Sequence, residues 1–178
     1  MAKRGRGGDM LTGGTKDVNP QYSSIQVVES AANTFTQGTL NLPVLRGNMV
    51  GGKYQVIELL YAWLDLQTND GATGSGRTVA LTTTSQTAMQ VLSNPDVVLM
   101  YNDLITITTS GLYVETNPKF YDFTDRAGHG IIIATESLFL SVIGTSQTAA
   151  QTARCRIFYR FKNVNVNEFI GLAIQQGG

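Results

Sequence analysis

The chain contains one cysteine, Cys155, and one histidine, His129. A lone thiol makes no internal disulfide and no cysteine-based zinc site. A lone imidazole leaves no room for a multi-histidine metal centre. Charge is scarce as well: Asp, Glu, Lys and Arg make up 15% of the sequence, against about 25% in an average soluble domain. Long charged helices and disordered acidic or basic domains need more charge than this. No window reaches the roughly 18 apolar residues of a membrane helix. The N-terminal MAKRGRGGDM is followed by no apolar stretch of the kind a secretory signal requires. Asn-x-Ser/Thr sequons are missing too. We therefore expect a soluble intracellular product with no membrane insertion.

Small polar residues take the place of charge: 21 Thr, 10 Ser, 11 Asn and 11 Gln, beside 19 Gly. With 42% hydrophobic residues and many turn formers, the composition predicts a β-rich globular domain. The length of 178 residues suits one domain with a substantial core. Thirteen basic residues balance thirteen acidic ones, so any electrostatic partner must be held by local clustering.

Residues 1–22 read as a basic, Gly-rich arm. It carries Lys3, Arg4 and Arg6, and Gly13-Gly14 and Asn19-Pro20 break any hydrophobic period. From residue 23 onward, short apolar runs alternate with turn signals. Strands are expected over Ser23–Glu29, Thr34–Val44, Arg77–Thr84, Asp96–Thr109, Gly111–Thr124, Gly130–Gly144 and Ala153–Asn163. Val97, Leu99, Tyr101, Ile105 and Ile107 keep a period of two. Lys53–Leu66 (KYQVIELLYAWLDL) is apolar on both strand faces, and Ile57, Leu60, Tyr61 and Leu64 also match a helical face. A strand buried on both sides is the preferred reading. Ser85–Asn94 suggests a short helical turn, and Val164–Gln175 closes the chain. About eight or nine strands at short spacing predict an all-β antiparallel sandwich, a single jelly roll over residues 23–178.

One charge pattern carries functional meaning. In RCRIFYRFK, alternation puts Arg154, Arg156, Phe158, Arg160 and Lys162 on one face and Cys155, Ile157, Tyr159 and Phe161 on the other. The second face belongs in the core, where Cys155 is a small apolar residue. The first is a basic stripe enclosing an aromatic, the composition that phosphates and stacked bases prefer. It equally suits salt bridges to acids of a neighbouring strand or subunit, and both readings stand. Lys3, Arg4 and Arg6 are the stronger nucleic-acid candidates, since only Asp9 lies near them.

Catalytic chemistry finds little support. Asp122, Asp125 and His129 fall within eight residues, but they lack the ligand count and spacing of a cation loop. Gly-His-Gly is better read as a tight turn into the Ile131 strand, with His129 hydrogen-bonded to backbone or to another subunit. Gly71, Gly74 and Gly76 do not follow the order of a phosphate loop. A Ser-His-Asp triad would need the sole His129, and no nucleophile elbow accompanies it. No residue set points to a cofactor, a metal or an enzyme.

Three islands, LTGGTKDVNPQ (Leu11–Gln21), TDRAGHGIIIATESLFL (Thr124–Leu140) and RIFYRFKNVNVNEFIGLAIQQ (Arg156–Gln176), resemble capsid proteins of circovirus-like viruses with circular single-stranded DNA (ssDNA). The resemblance implies a jelly roll that self-assembles, with no enzymatic role, into a T=1 shell of about 60 copies around the genome. It also implies location in the virion and an inward-facing basic arm that serves nuclear import during assembly. The arm here is short: many relatives carry long Arg-rich arms, so the shell would either package DNA weakly by its arm or share the work with the Arg154–Lys162 stripe. Low charge fits a surface largely buried between copies, because interface centres exclude charge. The competing expectation is a trimeric jelly-roll binding module, a virion spike or a receptor- or glycan-binding protein. A cupin-like enzyme comes last, for want of histidines.

Overall fold

A computed structural model describes residues 20–43, 53–66, 74–104 and 118–176. Nine strands and one helix lie among them: β1 (Gln21–Val28), β2 (Thr36–Asn41), β3 (Lys53–Leu66), β4 (Gly76–Thr82), β5 (Val97–Leu104), β6 (Lys119–Asp122), β7 (Ile131–Ile133), β8 (Ser137–Thr145), β9 (Thr152–Asn165) and α1 (Val166–Gln175). One sheet runs β1-β9-β3-β6, with β7 also paired to β3; the other runs β2-β8-β4-β5. Every pairing is antiparallel. The chain passes repeatedly from one sheet to the other, and the result is a jelly-roll sandwich.

Alternation builds the core. Ile57, Leu59 and Leu64 of β3, Leu81 of β4, Leu138 and Leu140 of β8 and Ile157 of β9 are fully enclosed between the sheets. Each such side chain contributes about 1.5–3 kcal/mol relative to exposure. Cys155, Ile157 and Tyr159 face this core as expected, with Phe161 packed at its margin. A second small cluster lies on the outside of the first sheet. There Val56, Ala134 and Val164 are buried with the help of Phe169 and Leu172 from α1. The helix thus covers one end of that sheet's outer face.

Three expectations need correction, and one segment left unassigned gains an element. Gly130–Gly144 is not one strand: β7 pairs with β3 in the first sheet, and β8 pairs with β2 and β4 in the second. The chain changes sheets between them, at 134–136. Ser85–Asn94 forms bends and turns rather than a helical turn. Polar side chains there compete for the backbone: Ser85 Oγ and the Gln86 N–H both donate to Gln37 Oε1. Strand β1 starts at Gln21, so Gln21 and Tyr22 belong to the sheet rather than to the arm. The closing segment holds a helix, capped by Asn165, whose side chain accepts from the Glu168 N–H. Ile105, Ile107 and residues 111–117 of the expected Gly111–Thr124 strand lie outside the described residues.

Candidate nucleic-acid interface

The outer face of the β1-β9-β3-β6 sheet carries the basic stripe, and the strand register sets its neighbours. Arg154 and Arg156 are exposed on β9, with Arg160 and Lys162 partly so. Lys3, Arg4 and Arg6 lie outside the described residues. Cross-strand pairing then decides which cations are already matched. Arg154 stands between Gln26 of β1 and Asp65 of β3; its guanidinium donates to Gln26 Oε1 at 2.9 Å and to Asp65 Oδ2 at 3.2 Å. Arg160 faces Glu58 of β3 and donates to its Oε2 through Nε. Both are salt bridges to a neighbouring strand, one of the two arrangements the sequence allowed.

Arg156 differs. Among the described residues no carboxylate pairs with it, and its guanidinium lies 5.2 Å from the centre of the Tyr22 ring.

Glu58 anchors the basic end. It is almost fully buried, and its Oε1 accepts the Gly130 N–H at 3.1 Å and lies 3.5 Å from His129 Nδ1. Burial pushes the Glu58 carboxyl up, but the Arg160 hydrogen bond, the Gly130 N–H and the charges of Arg160 and Lys162 outweigh it. The net position is below the ordinary range. The Gly-His-Gly turn is a tight one, as expected. A Cβ at Gly130 would sit 2.0 Å from the Leu59 carbonyl oxygen, so the position takes only glycine. Asp125 accepts from the Ala127 and His129 N–H groups, both at 2.8 Å. Asp122 accepts from the Thr124 N–H and hydroxyl. These bonds lower both carboxyls. Among the described residues no three acidic, His or Cys side chains converge as metal ligands.

Between the two salt bridges lies a patch of aromatic rings. One row across the sheet reads Tyr22, Phe158, Tyr61 and Asp122; the next reads Ser24, Arg156, Trp63 and Phe120. Tyr22 is 64% exposed, Phe120 58% and Trp63 43%. Ring centres are 6.3 Å apart for Tyr22–Phe158, 5.5 Å for Trp63–Phe158 and 6.5 Å for Trp63–Phe120. Sequence reasoning placed Phe158 here and missed the other rings. The signal was the doubly apolar β3, whose register shifts between Leu59 and Tyr61. That bulge sends Ile57 and Leu59 inward before it and Ala62, Leu64 and Leu66 inward after it, leaving Tyr61 and Trp63 outside.

Beside Trp63 the face sinks into a pocket of about 550 Å³, lined by Ser24, Gln26, Trp63, Asp65, Arg154 and Arg156. Cys155 contributes to its floor; burial pushes that thiol up to about 12, so it stays protonated and unreactive.

No protein-family model and no curated protein matches the sequence. Solved structures do match in shape. The fold resembles that of polyomavirus VP1. VP1 of Trichodysplasia spinulosa-associated polyomavirus, solved with sialylated precision glycooligomers, superposes with a TM-score of 0.54 at 9% identity, covering 85% of this chain and 97% of that one. The unassembled pentamer of Merkel cell polyomavirus VP1 gives 0.51 at 8% identity, over 85% of this chain and 98% of its own. Apo New Jersey polyomavirus VP1 gives 0.50 at 9%, over 82% and 100%. At this identity the likeness is one of fold. The similarity to circovirus-like proteins rests on the sequence islands alone.

Proposed function

We propose that this chain is the structural subunit of a viral capsid, self-assembling into a small icosahedral shell around a circular ssDNA genome. The shell of the circovirus-like pattern is T=1, about 60 copies. On this reading the protein resides in the virion, with a nuclear stage during assembly, and performs no catalysis. The observation that carries the proposal is the distribution of exposed apolar side chains on a jelly-roll body. Val91 and Leu92 lie in the loop before β5, Leu104 at the end of β5, and Ile170 and Ile174 on α1. A closed shell buries several separate surfaces of each subunit, whereas a trimer buries one kind of contact. The fold likeness to VP1 proteins supports the same reading.

Genome contact is assigned first to Lys3, Arg4 and Arg6 and then to the β9 face. The test is negative-stain electron microscopy of purified protein, with absorbance at 260 and 280 nm on the same fraction. Uniform shells with a raised 260/280 ratio are expected. Trimers or other small oligomers at every salt concentration would replace this reading with the binding module.

A further inference from the structure

We infer that the Trp63 pocket and the aromatic patch beside it form a binding site for single-stranded nucleic acid, holding unpaired bases by stacking and a phosphate at Arg156. The inference rests on the capsid reading for its setting, a packaged single strand, and on the sheet face for its chemistry. Three features select this occupant. Rings from four strands, Tyr22, Trp63 and Phe120 exposed and Phe158 half-buried between them, lie one after another at 5.5–6.5 Å, offering more than one stacking surface to a chain of bases. A guanidinium without a carboxylate partner among the described residues, Arg156, sits in the middle of the rings, where a backbone phosphate linking two stacked bases needs a cation. The pocket wall adds Ser24 and Gln26, hydrogen-bonding groups suited to a base edge. A duplex presents no free base faces, so it would reach only the cations.

This reading also changes the roles within the β9 stripe. Arg154 and Arg160 are engaged by Asp65 and Glu58 and supply shape and rigidity, whereas Arg156 supplies the charge. Site selectivity then comes from rings contributed by three other strands.

Trp63 is the only tryptophan in the chain, so its fluorescence reports the site directly. Full-length protein is stripped of nucleic acid at high salt, returned to low salt and titrated with oligothymidylate, a duplex of the same length, polyphosphate and a sialylated oligosaccharide. The single strand should quench Trp63 and bind at least about fivefold tighter than the duplex, one stacked base being sufficient for that ratio. Polyphosphate and the oligosaccharide should leave the emission unchanged. Phe158→Ala should weaken the single strand at least about fivefold, and Arg156→Gln should reduce the salt slope by about 0.7. Asp65→Asn, at an exposed salt bridge, should tighten binding by releasing Arg154. Equal quenching by duplex or polyphosphate, binding of the oligosaccharide in place of the strand, or no response to Asp65→Asn would overturn the inference. Microscopy on the same preparation separates the two proposals. Shells without selective quenching sink this site alone, and selective quenching without shells sinks the capsid reading alone.

Discussion

At the residue scale, Glu58 governs how the basic end of the sheet face is held. Its carboxylate is enclosed and takes bonds from Arg160 and Gly130, with His129 close by. Loss of one partner of a fully buried ion pair costs about 3–5 kcal/mol, but Arg160 keeps 28% of its side chain exposed, so solvent screens part of the effect. Glu58→Gln should therefore destabilise the protein by about 1–2 kcal/mol at neutral pH, read from urea unfolding. The pH dependence follows from the direction of the shift. A carboxyl held below its ordinary value stabilises the fold above about pH 4.3, and that contribution disappears as pH falls through the folded-state value. The gap between wild type and Glu58→Gln should accordingly close on moving from pH 6 to below pH 4. A gap that stays constant would show that the carboxylate charge is not what Arg160 recognises.

At the scale of elements, α1 is the piece whose formation is least supported by its own burial. None of its residues is fully buried, although Phe169 stacks on Tyr54 at 4.4 Å and Gln176 bonds to the backbone of Ile132 and Ala134. Its start depends on Asn165, which ends β9 and caps the helix in one residue. Removing such a cap costs about 1 kcal/mol. Asn165→Ala should thus lower the melting temperature by about 2–4 °C and reduce the helical signal in circular dichroism, while the environment of Trp63 is unchanged. The Asn165-x-x-Glu168 spacing is a helix-start pattern carried by the sequence, set between the strand-like Val164 and Val166. Strand β3 was legible as a strand over Lys53–Leu66, and it is buried on both sides at Val56–Leu60. The change of inward parity at the bulge after Leu59 was not legible, because periodicity cannot distinguish it from burial on both sides.

For the whole molecule, the question is which surfaces remain to be covered. Ile170 and Ile174 lie one turn apart on the outward side of α1, and Ile174 is 72% exposed. Such residues are costly to leave in water across many copies and favour contacts between subunits. Ile174→Glu should leave monomer stability within about 0.5 kcal/mol, as for other exposed positions. It should also abolish or sharply reduce shell formation seen by microscopy. Shells forming as readily in the variant would place the subunit contacts elsewhere on the body.

Composition and alternation by themselves determined the all-β class, the approximate strand number, the inward face of β9 and the location of its basic stripe. These depend on local regularities: a two-residue period, β-branched residues, and glycine or proline at turns. Tertiary structure alone decided which of the stripe's cations are neutralised, because Asp65 and Glu58 are about ninety and a hundred residues from Arg154 and Arg160 and meet them only through the β3–β9 register. The aromatic patch has the same origin. Tyr22, Trp63, Phe120 and Phe158 are scattered along the sequence, and only strand order and one bulge bring their rings together.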